Sequence, residues 1–70
     1  MTDVRIHTAW VRGVAWLYPQ TQRAADWMNQ NLDTDIPLKP RVSAGLRIAY
    51  DALDDTKAAM ESAGLKIERT

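Results

Sequence analysis

Apolar and polar positions alternate most cleanly between residues 41 and 50. Val42, Ala44, Leu46, Ile48 and Tyr50 share one parity; Arg41, Ser43, Gly45, Arg47 and Ala49 share the other. A period of two over that length predicts a half-buried strand. Asp51 then stands where a helix N-cap belongs, with Asp54 and Asp55 in the first turn, where the macrodipole favours negative charge. Leu53, Thr56, Met60 and Ala63 recur at three- and four-residue spacing and predict a helix over residues 51–63. Gly64 occupies the left-handed position past the helix end, and Leu65 the apolar contact of a Schellman motif. Lys66-Ile67-Glu68-Arg69 alternates again and predicts a short last strand.

The same order occurs once earlier. Gly13, Tyr18 and Met28 stand thirty-two positions before Gly45, Tyr50 and Met60. Val14-Ala15-Trp16-Leu17-Tyr18 leads into a helix-length run, as Leu46-Arg47-Ile48-Ala49-Tyr50 does. Pro19 stops the strand by removing a backbone donor, and Thr21 is a good N-cap. Ala24, Ala25, Met28 and Leu32 make one stripe, with Trp27 beside it and Arg23, Asp26, Asn29 and Gln30 opposite. That predicts a helix over residues 21–32. Residues 33–40, with two prolines and two aspartates, read as a loop.

Residues 4–18 are rich in β-branched and aromatic types, hence strand-like. They fit either one long strand bulged near Gly13 or a hairpin turning at Arg12-Gly13. The expected strand covers residues 10–18, with residues 1–9 either flexible or an extra strand. The predicted fold is a single α+β domain over residues 1–70. It is a two-layer sandwich in the order strand-helix-strand-helix-strand, with both helices on one face of a small mixed sheet. A right-handed crossover would make the two longer strands parallel.

An even offset between the repeats preserves strand parity. It therefore assigns Val14, Trp16 and Tyr18, with Leu46, Ile48 and Tyr50, to the face under the helices. The other face, with Gly13, Ala15, Leu17, Arg41, Ser43, Gly45, Arg47 and Ala49, is then small-chained and mildly basic. With its aromatic rings roofed over, such a sheet offers no platform for stacked bases.

Composition narrows the function classes. A chain of 70 residues buries only about 60% of the surface it exposes unfolded, so its core is marginal. It has no cysteine, which removes disulfides and thiolate zinc sites as supplements. Self-association or a protein partner is the expected supplement. Lys+Arg and Asp+Glu balance at nine each, so a nucleic-acid partner is not favoured, since that affinity rests on phosphate neutralisation. No run approaches the roughly 20 apolar residues of a membrane span, and the first residues lack a signal peptide's apolar stretch. A soluble, cytoplasmic protein without a membrane partner is expected.

Candidate chemistry is sparse. His7 with Ser43 or Ser62 and an aspartate forms a nominal triad, but no strained nucleophile turn accompanies them. Asp51, Asp54 and Asp55 read as helix-capping groups rather than a cation site. Gly13 and Gly45 are isolated and form no phosphate loop. Pro37-Leu38-Lys39-Pro40 is a minimal PxxP string within an ordinary loop. Trp16 and Trp27 read as core; Trp10, outside the repeated unit, is the best candidate for an exposed aromatic anchor, with a core position as the competing reading. No catalytic residue, cofactor or metal is expected.

Tyr18-Pro19-x-Thr21 with Trp27, then Gly45-Leu46-x-Ile48 and Met60-x-x-x-Gly64-Leu65-x-Ile67, resembles small proteins encoded by bacteriophages, prophages and other mobile elements. The resemblance spans residues 13–68 and rests on structural punctuation. It implies a mobile-element origin and a small α+β form, and carries no site residues. Such proteins often bind and block a host machine, anti-CRISPR proteins being an example by analogy. The expected function is thus a non-enzymatic protein-interaction module of accessory or inhibitor type, with Arg5, Trp10, Arg41 and Arg47 as its contact surface. The alternative is a small nucleic-acid binder using the same arginines. A third class, an enzyme subunit, would need acid–base groups from a second chain.

Overall fold

A computed structural model describes residues 1–8, 13–41 and 45–69. The elements are β1 (Val4–His7), β2 (Val14–Pro19), α1 (Gln22–Asn31), β3 (Leu46–Ala49), a 3-10 turn (Tyr50–Ala52), α2 (Leu53–Ser62) and β4 (Ile67–Arg69). The fold is α+β, with strand-helix-strand-helix-strand order as expected and β1 added in front. The four strands form one mixed sheet in the order β3-β2-β1-β4.

Val4 and Ile6 alternate with Arg5 and His7, which gives β1 one face for the core, and pairing on both sides makes it an inner strand rather than a flexible arm. Both apolar residues are fully buried. β1 pairs antiparallel with β2 and parallel with β4. β1 and β2 are separate antiparallel strands and not one long bulged strand, and β2 starts at Val14. The turn expected at Arg12-Gly13 and the strand start expected at Trp10 involve residues 9–12, which lie outside the described residues.

β2 and β3 are antiparallel, which corrects the parallel crossover expected from the sequence. Helix α1 has ten residues, about 15 Å of rise. The long segment after it then returns the chain, so that β3 runs back alongside β2. Asn29 ties this segment down: its side-chain amide donates to the Leu38 carbonyl (3.0 Å) and accepts from the Leu38 N–H (2.8 Å).

Thr21 caps α1 as expected, its Oγ1 accepting from the Ala24 N–H at 3.3 Å. Ala24, Ala25 and Met28 are buried, with Trp27 and Leu32 at the margin of the core. In α2 the expected Asp51 cap is absent. Ala52 holds the cap position without a side-chain bond, because the chain leaves β3 through the 3-10 turn. Leu53 and Met60 are buried as expected, whereas Ala63 is exposed. The end of α2 is the Schellman motif: Gly64 at φ 85°, its N–H on the Glu61 carbonyl, and the Leu65 N–H on the Met60 carbonyl.

One contiguous core joins Val4, Ile6, Ala15 and Leu17 of the sheet to Ala24 and Met28 of α1 and to Leu53 and Met60 of α2. Both helices therefore cover the same face. Asp3, only 3% exposed, stitches the layers together. Its carboxylate accepts from Arg23 Nε and Nη2 (3.1 and 2.7 Å), Thr21 Oγ1 (2.7 Å) and the Lys66 N–H (2.9 Å). Arg23 Nη2 also donates to the Gly64 carbonyl at 2.8 Å, which links α1 to the end of α2.

Candidate functional site

Which side chains face away from the helices follows from strand register. Directly opposed residues share a face, and the β2–β3 pairs are Val14 with Ala49, Ala15 with Ile48, Trp16 with Arg47, and Leu17 with Leu46. Ala15 and Leu17 are fully buried, and Leu46 and Ile48 pack beside them. Trp16 and Tyr18, expected in the core, thus stand on the face that no described helix or strand covers. Val14 joins them there. The expected parity holds for β3 and reverses for β2.

Antiparallel geometry explains the reversal. An even offset in sequence equates faces only for strands related by translation. In an antiparallel pair the partner numbers have a constant sum, and here that sum is odd, so odd residues of β2 share a face with even residues of β3. Ala15 also suits the covered face: it is fully buried in the cluster that includes Ala24 and Met28 of α1, where an indole would need far more room.

The uncovered face carries two rows running across the sheet. Glu68, Arg5 and Tyr18 lie side by side in one; His7, Trp16 and Arg47 lie side by side in the next. Tyr18 lays its ring over Gly45 at the end of its row. A Cβ there would meet the tyrosine Cε1 at 2.7 Å, and Gly45 has φ 92°, so the position needs glycine twice over. Arg5 Nε lies 4.0 Å from Glu68 Oε1, with both side chains about half exposed. Trp16 is half-buried, and its indole N–H is shielded from water without an acceptor among the described residues.

Of the residues singled out from the sequence, Arg5 and Arg47 come together around the Trp16–Tyr18 pair. Arg41 does not join them: the strand expected over residues 41–50 is β3 at Leu46–Ala49, and Arg41 sits before it at φ 67°, with its N–H on the Pro19 carbonyl at 3.0 Å. Trp10 and Ser43 lie outside the described residues. Tyr50, expected in the core, is 45% exposed; Arg69 lies over its ring at 5.9 Å and donates to its hydroxyl at 2.9 Å.

An open cleft of about 680 Å³ adjoins the second row at the β3 side. Trp16, Leu46 and Arg47 form one wall, and Ile36, Pro37 and Leu38 the other. Ile36 is 77% exposed, unusual for so apolar a side chain in a small domain. The sequence marks this segment as a loop with a minimal PxxP string, and its prolines and aspartates say nothing about what the loop faces.

The Asp3 carboxylate is held far below its ordinary titration range. The Arg23 hydrogen bonds, then those from the Lys66 N–H and the Thr21 hydroxyl, push its pKa well down, against the upward push of burial. All of these partners are structural, so the group is committed to the fold. Among the described residues no set of three potential ligands gathers to hold a metal, and no helix is long and apolar enough to cross a membrane. Comparison with protein-family models, with curated protein sequences and with solved structures finds no match.

Proposed function

We propose that this chain is a non-enzymatic protein-interaction module that engages its partner through the helix-free face of the sheet and the cleft beside it. One observation carries the reading: Arg5, Trp16, Tyr18 and Arg47 stand in two adjacent rows on that face. Tryptophan, tyrosine and arginine are the residue types that dominate binding energy at protein interfaces. The exposed Ile36 extends the apolar area, and the overall charge balance suits a protein surface better than a polyanion. The small size and the mobile-element resemblance suit an accessory or inhibitor that acts by occupying a host protein.

Affinity capture with the parent and with an Arg5→Ala/Arg47→Ala variant tests this. Both arginines are exposed, so the double substitution should move the thermal midpoint by only a few degrees. Partners retained by the parent should be held at least about tenfold more weakly by the variant, a loss of roughly 1.4 kcal/mol. Arg41→Ala, off the rows, should leave capture unchanged. Equal capture by parent and double variant would refute the surface.

A second reading, binding of single-stranded nucleic acid, is favoured by the placement of Trp16 and Tyr18 on an open sheet face beside arginines, where bases can stack. Asp33 and Asp35 along the cleft, and the zero net charge, weigh against it. Labelled single-stranded DNA and RNA oligonucleotides decide it. Retention that falls steeply between about 50 and 200 mM salt would establish this reading instead.

A further inference from the structure

We propose that the outer edge of β3 takes up an extended peptide segment of a partner protein as an added strand, seated in the cleft between that edge and residues 33–39. The proposal rests on the protein-interaction reading and specifies its geometry.

The edge is open for a definable reason. The Tyr50 N–H donates to the Gly13 carbonyl at 2.8 Å, and these two residues continue the β2–β3 register. Hydrogen-bonded and non-hydrogen-bonded pairs alternate along an antiparallel ladder. Ile48 and Leu46 therefore bond inward to Ala15 and Leu17, and Arg47 and Ala49 turn their N–H and C=O groups away from β2. No backbone hydrogen bond among the described residues reaches either of them from outside the ladder. Such a row of unpaired donors and acceptors is a template for another strand.

The surroundings select an extended peptide as the occupant. A wall of alternating backbone donors and acceptors is matched by another backbone, not by phosphates or a helix. Leu46, Ile36 and Pro37 offer apolar contact to alternate side chains of the incoming segment, and exposed Arg47 offers a cation beside the row. Asp33 and Asp35 repel acidic groups from the far wall. The fitting segment thus alternates apolar residues and carries a carboxylate placed to meet Arg47. Because Asn29 pins Leu38, the far wall is already set, which lowers the ordering cost of binding. A second copy of this chain fits less well: edges paired two-fold about Arg47 set one guanidinium against the other, and edges paired about Ile48 set Arg47 against Ala49, with no carboxylate to meet it.

A displayed library of random linear dodecapeptides, selected on the full chain, supplies the probe. Selected peptides should show the alternating pattern and should bind Ala49→Pro at least about tenfold more weakly than the parent. Proline suits this position: Ala49 already has φ −65°, and its N–H takes no part in the ladder, so the fold should stand while the edge loses a donor. N-methylation along the selected peptide gives the same readout on the unaltered protein. Methyl groups on alternate amides should abolish binding and those between them should be tolerated. The proposal is overturned if Ala49→Pro and every methylated peptide bind like their parents, if the library yields no binder, or if the edge is filled only by a second copy of the chain. Loss of binding with Arg5→Ala/Arg47→Ala but not with Ala49→Pro would remove the edge proposal and leave the face reading in place. Loss with Ala49→Pro alone would support the backbone pairing at the edge and remove both the Arg47–carboxylate contact and the face.

Discussion

At the scale of single residues, Asp3 shows how one buried charge is made tolerable. A lone carboxylate in that position would be costly, but a guanidinium, a hydroxyl and a backbone N–H surround it. Its folded pKa lies below the unfolded value, so the stability it contributes is complete above about pH 4. That contribution is lost as the pH falls from there towards the folded pKa. Asp3→Asn should lower stability at neutral pH by about 2 kcal/mol, less than for a fully enclosed pair because the Arg23 side chain is 61% exposed. Thermal melts at pH 7 and pH 3 check the sign. The parent should lose more of its midpoint between those values than Asp3→Asn does; parallel losses would show that the carboxylate is not the group responsible.

At the scale of elements, the face assignment of β2 separates residues adjacent in sequence. Leu17 is fully buried in the core it shares with both helices, whereas its neighbour Trp16 and the Arg47 opposite Trp16 stand on the uncovered face. Leu17→Ala should cost about 3 kcal/mol through the lost apolar contact and the cavity left behind. Arg47→Ala should stay within about 0.5 kcal/mol. Urea titrations of the two variants compare them directly, and similar costs would contradict the register. The ends of the helices were well marked in the sequence, since Thr21 and Gly64-Leu65 act through bonds spanning only a few residues. The start of α2 was not. Asp51 looked like a cap, but the 3-10 turn that places it elsewhere depends on how the chain must leave the edge strand β3.

At the scale of the whole molecule, a single cluster joins strands β1 and β2 to both helices, so neither layer has a core of its own. Unfolding should therefore be one cooperative transition. Met60→Ala in α2 should lower the midpoint by about 10 °C or more. It should shift far-UV circular dichroism and tryptophan fluorescence together, although Trp27 lies on α1 and Trp16 on the sheet. Separate transitions for the two signals would show that the layers fold independently. The proposed function also belongs to this scale, because Arg5, Trp16, Tyr18 and Arg47 come from three strands and meet only across the sheet.

The chain's local patterns determined its class of fold. Proline and glycine punctuation, the Thr21 cap and helical stripes of alanine and methionine act over a few residues, and they marked two helices and the strands beside them. Alternation likewise told which residues of β3 go inward. For β2 it did not, because Val14, Trp16, Leu17 and Tyr18 are all bulky and either parity looks apolar. Pairing decided that. Antiparallel register between strands far apart in sequence set Ala15 and Leu17 beneath the helices and turned the tryptophan and tyrosine outward. The strand faces depend on the sum of partner numbers, a quantity that exists only once two distant segments have met.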